Sequence, residues 1–158
     1  MLLICVEPSF DLEFVLDMLI DWKKLTTARG VSDASQVPFS IELLFSETSN
    51  KRDTGYWGID NHVVVQSDLQ DSAPYATQLI VERFLAEKQV TQQLVDILFE
   101  LANGANSEVL TVGPLSGETV ESICRSKVLE TKRLLEDLIS ELPPSLQTSV
   151  GELLGSLS

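Results

Sequence analysis

The 158-residue chain has a single histidine and only two cysteines, Cys5 and Cys124, which lie far apart in the sequence. A protein zinc site takes nitrogen and sulfur ligands at recognisable spacings, so these residues predict no metal site. Both cysteines are expected to be reduced, buried thiols. The glycine-bearing segment 113–117 lacks the lysine that a phosphate-binding loop requires. We therefore predict no cofactor and no catalytic residues.

Basic residues are also scarce, with 11 Lys and Arg against 24 Asp and Glu and a formal net charge of -13. Affinity for nucleic acid depends on Lys and Arg that release counterions from phosphates, so we predict no nucleic-acid partner. The negative field favours a basic protein partner, because complementary potentials accelerate association. The hydrophobic content of 44% is enough for one continuous core in one domain.

Long apolar runs are missing as well. The apolar residues 1–6 end at Glu7-Pro8 and are not preceded by basic residues, so the sequence predicts neither a signal peptide nor a membrane span. A cytoplasmic location without membrane contact is expected.

One block of eight residues occurs twice, at Val37–Leu44 and again 36 residues later at 73–80. Each copy has a proline at its second position, Pro38 or Pro74, followed by an aromatic residue, and each ends on two aliphatic residues. Repetition at such a period is typical of stacked helical hairpins, since one amphipathic hairpin cannot bury its apolar face alone. We predict an all-α fold, an α-solenoid whose function is carried by its surface.

The periodicity of apolar residues divides the chain into five units. They are an N-terminal cap helix with its connector at 1–36, a first repeat at 37–66, a second repeat at 72–104, a loop at 105–117 and a degenerate C-terminal repeat at 118–158. The predicted helices cover about 9–20, 38–45, 51–65, 74–87, 91–102, 118–142 with one break, and 145–157. Loops of a dozen residues are uncommon without a role, so the loop is a candidate contact element.

Glycines within or beside these helices carry two further expectations. Gly55 and Gly58 each cost about 1 kcal/mol relative to alanine inside a helix, so they are expected where a neighbouring helix approaches closely. Gly104 follows Asn103 and predicts a helix end in the left-handed conformation.

Several short segments resemble a bacterial family of small HEAT-repeat proteins, over roughly residues 16–104. These segments are Ile20-Asp21-Trp22, Leu25, Ala28 with Gly30, Val37-Pro38, Ser46, Tyr56-Trp57, Ile59-Asp60-Asn61-His62 and the Leu-Phe-Glu-Leu-Ala-Asn-Gly of 98–104. The resemblance implies a right-handed α-α superhelix of antiparallel helix pairs, in which the second helix of each pair lines the concave side. Proteins of this kind often look like companions of secreted interbacterial toxins, which implies an immunity protein.

If the second helices of the two repeats lie side by side, their polar faces form an acidic surface around one tryptophan. The predicted partner-binding residues are Asp53, Trp57, Asp60, Asn61, Gln93, Asp96, Glu100 and Asn103. Packing between helices is the alternative for Trp57. Tyr56 is predicted to point inward, and Trp22, Phe39 and Tyr75 are expected to have structural roles.

The function predicted from these features is that of a non-enzymatic protein-binding module, most concretely an immunity protein that neutralises a cytotoxic toxin such as a basic nuclease. One alternative is a structural scaffold or homo-oligomer that assembles through residues 143–158; the oligomeric state is left open. Another is an enzyme that uses His62 with Asp60 and Cys124. A lone histidine near a helix end is more often a cap or a packed residue, so we predict no enzyme.

Overall fold

A computed structural model describes residues 20–25, 34–110 and 115–158 and is mostly helical, which confirms the predicted all-α class. Residues 9–19 of the predicted cap helix, residues 26–33 of its connector and Cys5 lie outside the described residues. The elements are a 3-10 turn at Trp22–Lys24, α1 (Val37–Leu44), α2 (Ser49–Asp60), β1 (Val64–Val65), β2 (Asp68–Leu69), α3 (Ala73–Glu87), α4 (Gln92–Asn103), α5 (Val120–Leu129), α6 (Lys132–Leu138), a 3-10 turn at Ile139–Glu141 and α7 (Pro144–Ser156).

Local sequence signals explain where several helices begin. Pro38 and Pro74 occupy the second position of α1 and α3, where the missing N–H leaves no helical hydrogen bond unmade. Thr91 caps α4, because its hydroxyl oxygen accepts the amide hydrogen of Leu94 at 3.3 Å. Thr119 caps α5 in the same way. The two prolines of the repeated block therefore lie at equivalent positions, as the repeat predicts.

The helices pack in two layers. One layer joins α1 to α3 and α3 to α5, and the other joins α2 to α4 and α4 to α7. Side-chain hydrogen bonds link the helices of the second layer, among them Gln93 to Asp53 (2.8 Å), Tyr56 to Glu100 (3.2 Å), Gln92 to Ser149 (2.9 Å) and Asn103 to Ser156 (3.1 Å). Because residue numbers rise together in these pairs, α2, α4 and α7 run parallel. Their exposed side is called the three-helix face below.

The core lies between the two layers. Its largest fully buried side chains are Leu44, Ile59, Leu69, Tyr75, Ile80, Phe84, Leu94, Ile97, Leu98, Leu101, Leu135 and Leu153. Trp22 and Tyr75 are buried, as expected, but Phe39 is 64% exposed, so its predicted structural role is wrong. Val37, Ile41 and Leu44 form the buried stripe of α1, and a residue two positions after Val37 points away from that stripe.

The predicted helix at 51–65 ends earlier, at Asp60, and its last residues form a β-hairpin instead. The consecutive valines at 63–65 favour a strand, and Val63 and Val64 are buried there. Gln66 and Ser67 make the two-residue turn with φ angles of 51° and 68°. Two positive φ angles are the mark of a type I′ turn, which matches the twist of the paired strands.

Replacing Ser67 by glycine is expected to raise the free energy of unfolding by about 0.5–1 kcal/mol, because glycine adopts a positive φ without steric cost. The same change at Ser107, an exposed loop residue without a positive φ, is expected to destabilise the fold slightly. Urea unfolding curves of both variants check the prediction. Equal effects at the two sites would contradict it.

The segment after α4 is tied to this hairpin. The Leu69 amide donates to the Ala105 carbonyl at 3.2 Å, and the Asn106 side chain donates to the Leu69 carbonyl at 2.7 Å. Gly104 has φ -73° and ψ 163°, so the expected left-handed helix end is wrong. A Cβ at Gly104 would lie 2.6 Å from the Leu69 Cγ, and close approach therefore explains the glycine.

The C-terminal part has the one predicted break, between α5 and α6. Thr131 is buried at the break, and its hydroxyl donates to the Val128 carbonyl at 2.7 Å, which satisfies the end of α5. In α7, Val150 and Leu153 face the core. No helix in the described part of the chain has both the length and the apolar character needed to cross a bilayer.

Candidate functional site

Helix α2 presents most of its side chains to solvent because it lies against α1 through glycine. Only Gly55 and Ile59 are buried in it. A Cβ on Gly55 would lie 2.4 Å from the Leu44 backbone nitrogen, and a Cβ on Gly58 would lie 2.2 Å from the Ser40 hydroxyl oxygen. The expected close approach at both glycines is confirmed. It leaves the opposite side of α2 free to form the three-helix face.

Gln93 holds one end of α2 to α4. Its amide nitrogen donates to Asp53 at 2.8 Å, and its amide oxygen accepts from Arg52 at 3.1 Å. Arg52 also donates to the carbonyls of Ser46 and Glu47, at 3.1 and 2.9 Å. The guanidinium is thereby held at the chain turn that precedes α2, and the exposed Asp53 carboxyl is bonded to the neutral amide of Gln93.

Further along the same two helices, Tyr56 and Asp60 of α2 meet Glu100 of α4. The Tyr56 hydroxyl donates to one Glu100 oxygen at 3.2 Å, and the other oxygen, Oε2, is buried and has no donor in the described residues. Burial, and then the neighbouring Asp60, raise the pKa of Glu100 to about 8. Glu100 therefore holds a proton near neutral pH, and this proton can be shared with the Asp60 carboxylate. Burial, with Glu100 beside it, also raises the pKa of Tyr56 above its usual value.

Two aromatic rings are exposed on this face. Trp57 is 55% exposed and stands edge-on to Tyr56, with ring centroids 5.0 Å apart and planes at 84°. Phe99 of α4 is 40% exposed. Aromatic residues, tryptophan above all, are enriched at protein interfaces. The alternative of packing between helices is therefore wrong for most of the Trp57 ring.

A cleft of about 220 Å³ opens where α2, α4 and α7 meet. It is lined by Tyr56, Val95, Asp96, Phe99, Glu100, Ser149 and Glu152. Three of these side chains are carboxylic acids, two are aromatic and none is basic. The cleft is the concave part of the three-helix face.

The structure brings most of the predicted binding residues together. Asp53, Asp60, Gln93, Asp96 and Glu100 form one continuous strip across α2 and α4. Trp57 stands beside that strip. Asn61 is exposed just after the end of α2, and Asn103 lies at the far end of α4, where its amide donates to the Phe99 carbonyl and to the Ser156 hydroxyl.

Sequence reasoning missed Tyr56, Phe99, Ser149 and Glu152 as site residues. Tyr56 was expected to point inward, but its hydroxyl reaches Glu100 and its ring lines the cleft. Ser149 and Glu152 are three residues apart on α7, next to the buried Val150 and Leu153. That polar spacing is visible in the sequence, but only the packing of α7 on α4 shows that it faces the site.

The residues of the enzymatic alternative are not assembled. No hydrogen bond joins His62 to Asp60 or Cys124 in the described ranges. The Cys124 sulfur lies 3.5 Å from the Thr77 hydroxyl oxygen, and burial raises the pKa of Cys124 to about 12. Cys124 is therefore a protonated thiol near neutral pH, a poor nucleophile. The residues described also contain no group of three His, Cys, Asp or Glu side chains placed to hold a metal ion.

Comparison of the chain with protein-family models, curated proteins and solved structures finds no match. The resemblance to small HEAT-repeat proteins therefore stays a prediction, and the case for function depends on the three-helix face itself.

Proposed function

We propose that the chain is a non-enzymatic protein-binding module and that its three-helix face binds a basic protein. The observation that carries this proposal is the exposed ring of Trp57 beside the acidic strip of α2 and α4. A buried tryptophan supplies much of the energy of a typical interface, and surrounding charges of one sign select partners of the other sign. The net charge of -13 adds long-range attraction for such a partner.

In its most concrete form, the module is a cytoplasmic immunity protein that neutralises a cytotoxic toxin, for example a basic nuclease. An acidic surface can occupy the basic site with which such an enzyme holds nucleic acid. The resemblance to toxin-associated HEAT-repeat proteins supports this form. The parallel α2, α4 and α7 support the right-handed superhelix that belongs to the same proposal, because second helices lie side by side in stacked hairpins.

The scaffold alternative requires a free apolar surface near residues 143–158. Val150, Leu153 and Leu157 are buried within the chain itself. The large apolar side chains that are exposed in the described ranges are Phe39, Trp57, Phe99, Val109 and Leu129, none of them on α7. The three-helix face is therefore the better supported contact surface, and an oligomer that persists at low concentration in sizing chromatography would favour the scaffold instead.

The test uses the proteins encoded on either side of the gene for this chain, each expressed in a bacterial host with and without it. We expect one neighbour to arrest growth and the wild-type chain to restore it. Trp57→Ala is expected to weaken the purified complex by about 2 kcal/mol, close to a thirtyfold rise in Kd, because the indole ring is no longer buried against the partner. Titration calorimetry measures this change.

Charge reversal at two places distinguishes the effect of the charges on the three-helix face from the effect of the net charge of the chain. Asp53→Lys with Asp96→Lys reverses two charges on the face, and Glu136→Lys with Asp137→Lys reverses two exposed charges on α6. We expect the first pair to reduce affinity and its salt dependence much more than the second. The proposal fails if both pairs act equally, or if the chain neither binds nor protects against any neighbouring product.

A further inference from the structure

The cleft on the three-helix face has the chemistry of a socket for one cationic side chain. Tyr56 and Phe99 supply aromatic walls, while Asp96, Glu100 and Glu152 supply carboxyl oxygens. A guanidinium group stacks on aromatic rings and forms paired hydrogen bonds with carboxylates. A volume of about 220 Å³ is large enough for the end of one side chain and too small for a folded element.

Glu100 is the carboxyl group that joins the cleft to α2. Its Oε1 accepts from Tyr56, and its buried side lies against Asp60, with which it shares a proton. Two adjacent carboxyl groups ionise together only when a positive charge lies close by. A guanidinium bound in the cleft supplies that charge.

The acidic groups around Glu100 all favour a positive ligand. They are Asp60 from α2, Asp96 from α4 itself and Glu152 from α7, beside the neutral hydroxyl of Tyr56. The basic residue at the junction of α5 with α4 and α7 is Arg125, whose guanidinium is bonded to the carbonyls of Ala102 and Ser156 and does not line the cleft. Within the part of the chain that the structure describes, no basic side chain lines the cleft to neutralise its negative charges.

We propose that this cleft receives one arginine side chain of the basic partner, and that the guanidinium replaces the proton shared by Glu100 and Asp60. The proton leaves to solvent, and the two carboxylates then face a positive charge. This inference rests on the proposed function and names the chemical group that the face selects.

The first test needs no partner protein. The probes are the capped tripeptide Gly-Arg-Gly and its citrulline counterpart, which has nearly the same shape without the charge, each titrated into the full chain and followed by amide chemical shifts. We expect the arginine peptide to shift the amides of Tyr56, Phe99, Glu100 and Glu152, and the citrulline peptide to shift none at the same concentration. Equal shifts with both peptides, or shifts confined to other surfaces, overturn the proposal.

The second test concerns the proton. With the pKa of Glu100 near 8, affinity for the arginine peptide is expected to rise about ninetyfold between pH 6 and pH 9, since binding requires the ionised carboxyl. Glu100→Gln is expected to abolish this pH dependence. Glu82→Gln, which changes a half-buried carboxyl on α3 that does not line the cleft, is expected to retain it. A pH dependence unchanged by Glu100→Gln overturns the proton displacement.

The two proposals can fail separately. If a neighbouring gene product binds through Trp57 and the arginine and citrulline peptides behave alike, the binding function stands and the arginine socket does not. If the arginine peptide binds in the cleft and no neighbouring product binds, the socket stands and the immunity function does not.

Discussion

Replacing Gly55 by alanine is expected to lower the free energy of unfolding by about 3 kcal/mol or more. The added Cβ would lie 2.4 Å from the Leu44 nitrogen and 2.6 Å from the Ser40 carbonyl oxygen. Both atoms belong to the backbone of α1, which cannot rotate away as a side chain can, so α1 and α2 must separate. Overpacking of this kind costs about 1–3 kcal/mol in flexible cores, and rigid backbone contacts lie at the upper end of that range.

Urea unfolding followed by circular dichroism measures the effect, with Gly151→Ala as the matched control. Gly151 also lies within a helix, but a Cβ there would meet nothing within 4 Å. The control is expected to gain up to about 1 kcal/mol from helix propensity. A loss below about 1 kcal/mol for Gly55→Ala would show that the helices do not approach as closely as described.

Between about pH 5 and pH 9, the free energy of unfolding of the wild type is expected to fall by about 1–2 kcal/mol more than that of Glu100→Gln. The folded chain has a Glu100 pKa near 8, whereas the unfolded chain has the ordinary value of 4.5. Between these values the folded state holds a proton that the unfolded state has released, so wild-type stability falls as pH rises. The magnitude is reduced for solvent screening, because the side chain is only half-buried. Glutamine removes the titration.

Unfolding curves at about pH 5, 7 and 9 test this expectation, and Glu136→Gln provides the control because Glu136 is exposed on α6. Repulsion among the carboxylates of an acidic chain also grows with pH, and it acts on the Glu136→Gln control as it does on Glu100→Gln. If both variants show the same pH dependence as the wild type, Glu100 does not hold its proton in the folded state.

The repeated block correctly predicts the helix starts at Pro38 and Pro74, because proline at the first turn is a local signal. The sequence correctly predicts that the glycines of α2 lie at a close helix contact. Glycine destabilises a helix interior, so its presence there indicates that a larger side chain does not fit. Residues 61–65 were wrongly extended as helix, since the buried pairing of β1 with β2 overrides helical continuity. Gly104 was correctly placed at a helix end but with the wrong conformation, because contact with Leu69 determines it.

The candidate site, too, is predicted only in part by the sequence. The acidic residues of α2 and α4 were found by their helical spacing, which puts residues three and four apart on one face. The sequence could not show that Tyr56 turns toward Glu100 or that α7 contributes Glu152, because both depend on how three helices pack side by side.

The sequence by itself determined the helical class, the acidic charge and the positions of most helix starts, because these depend on composition, periodicity and contacts within one turn. Only the tertiary structure decided that Glu100 is buried against Asp60, that Trp57 is exposed and that three carboxyl groups and two rings surround one cleft. Burial and the pairing of charges depend on residues far apart in the chain, and their energies arise only when the helices are packed together.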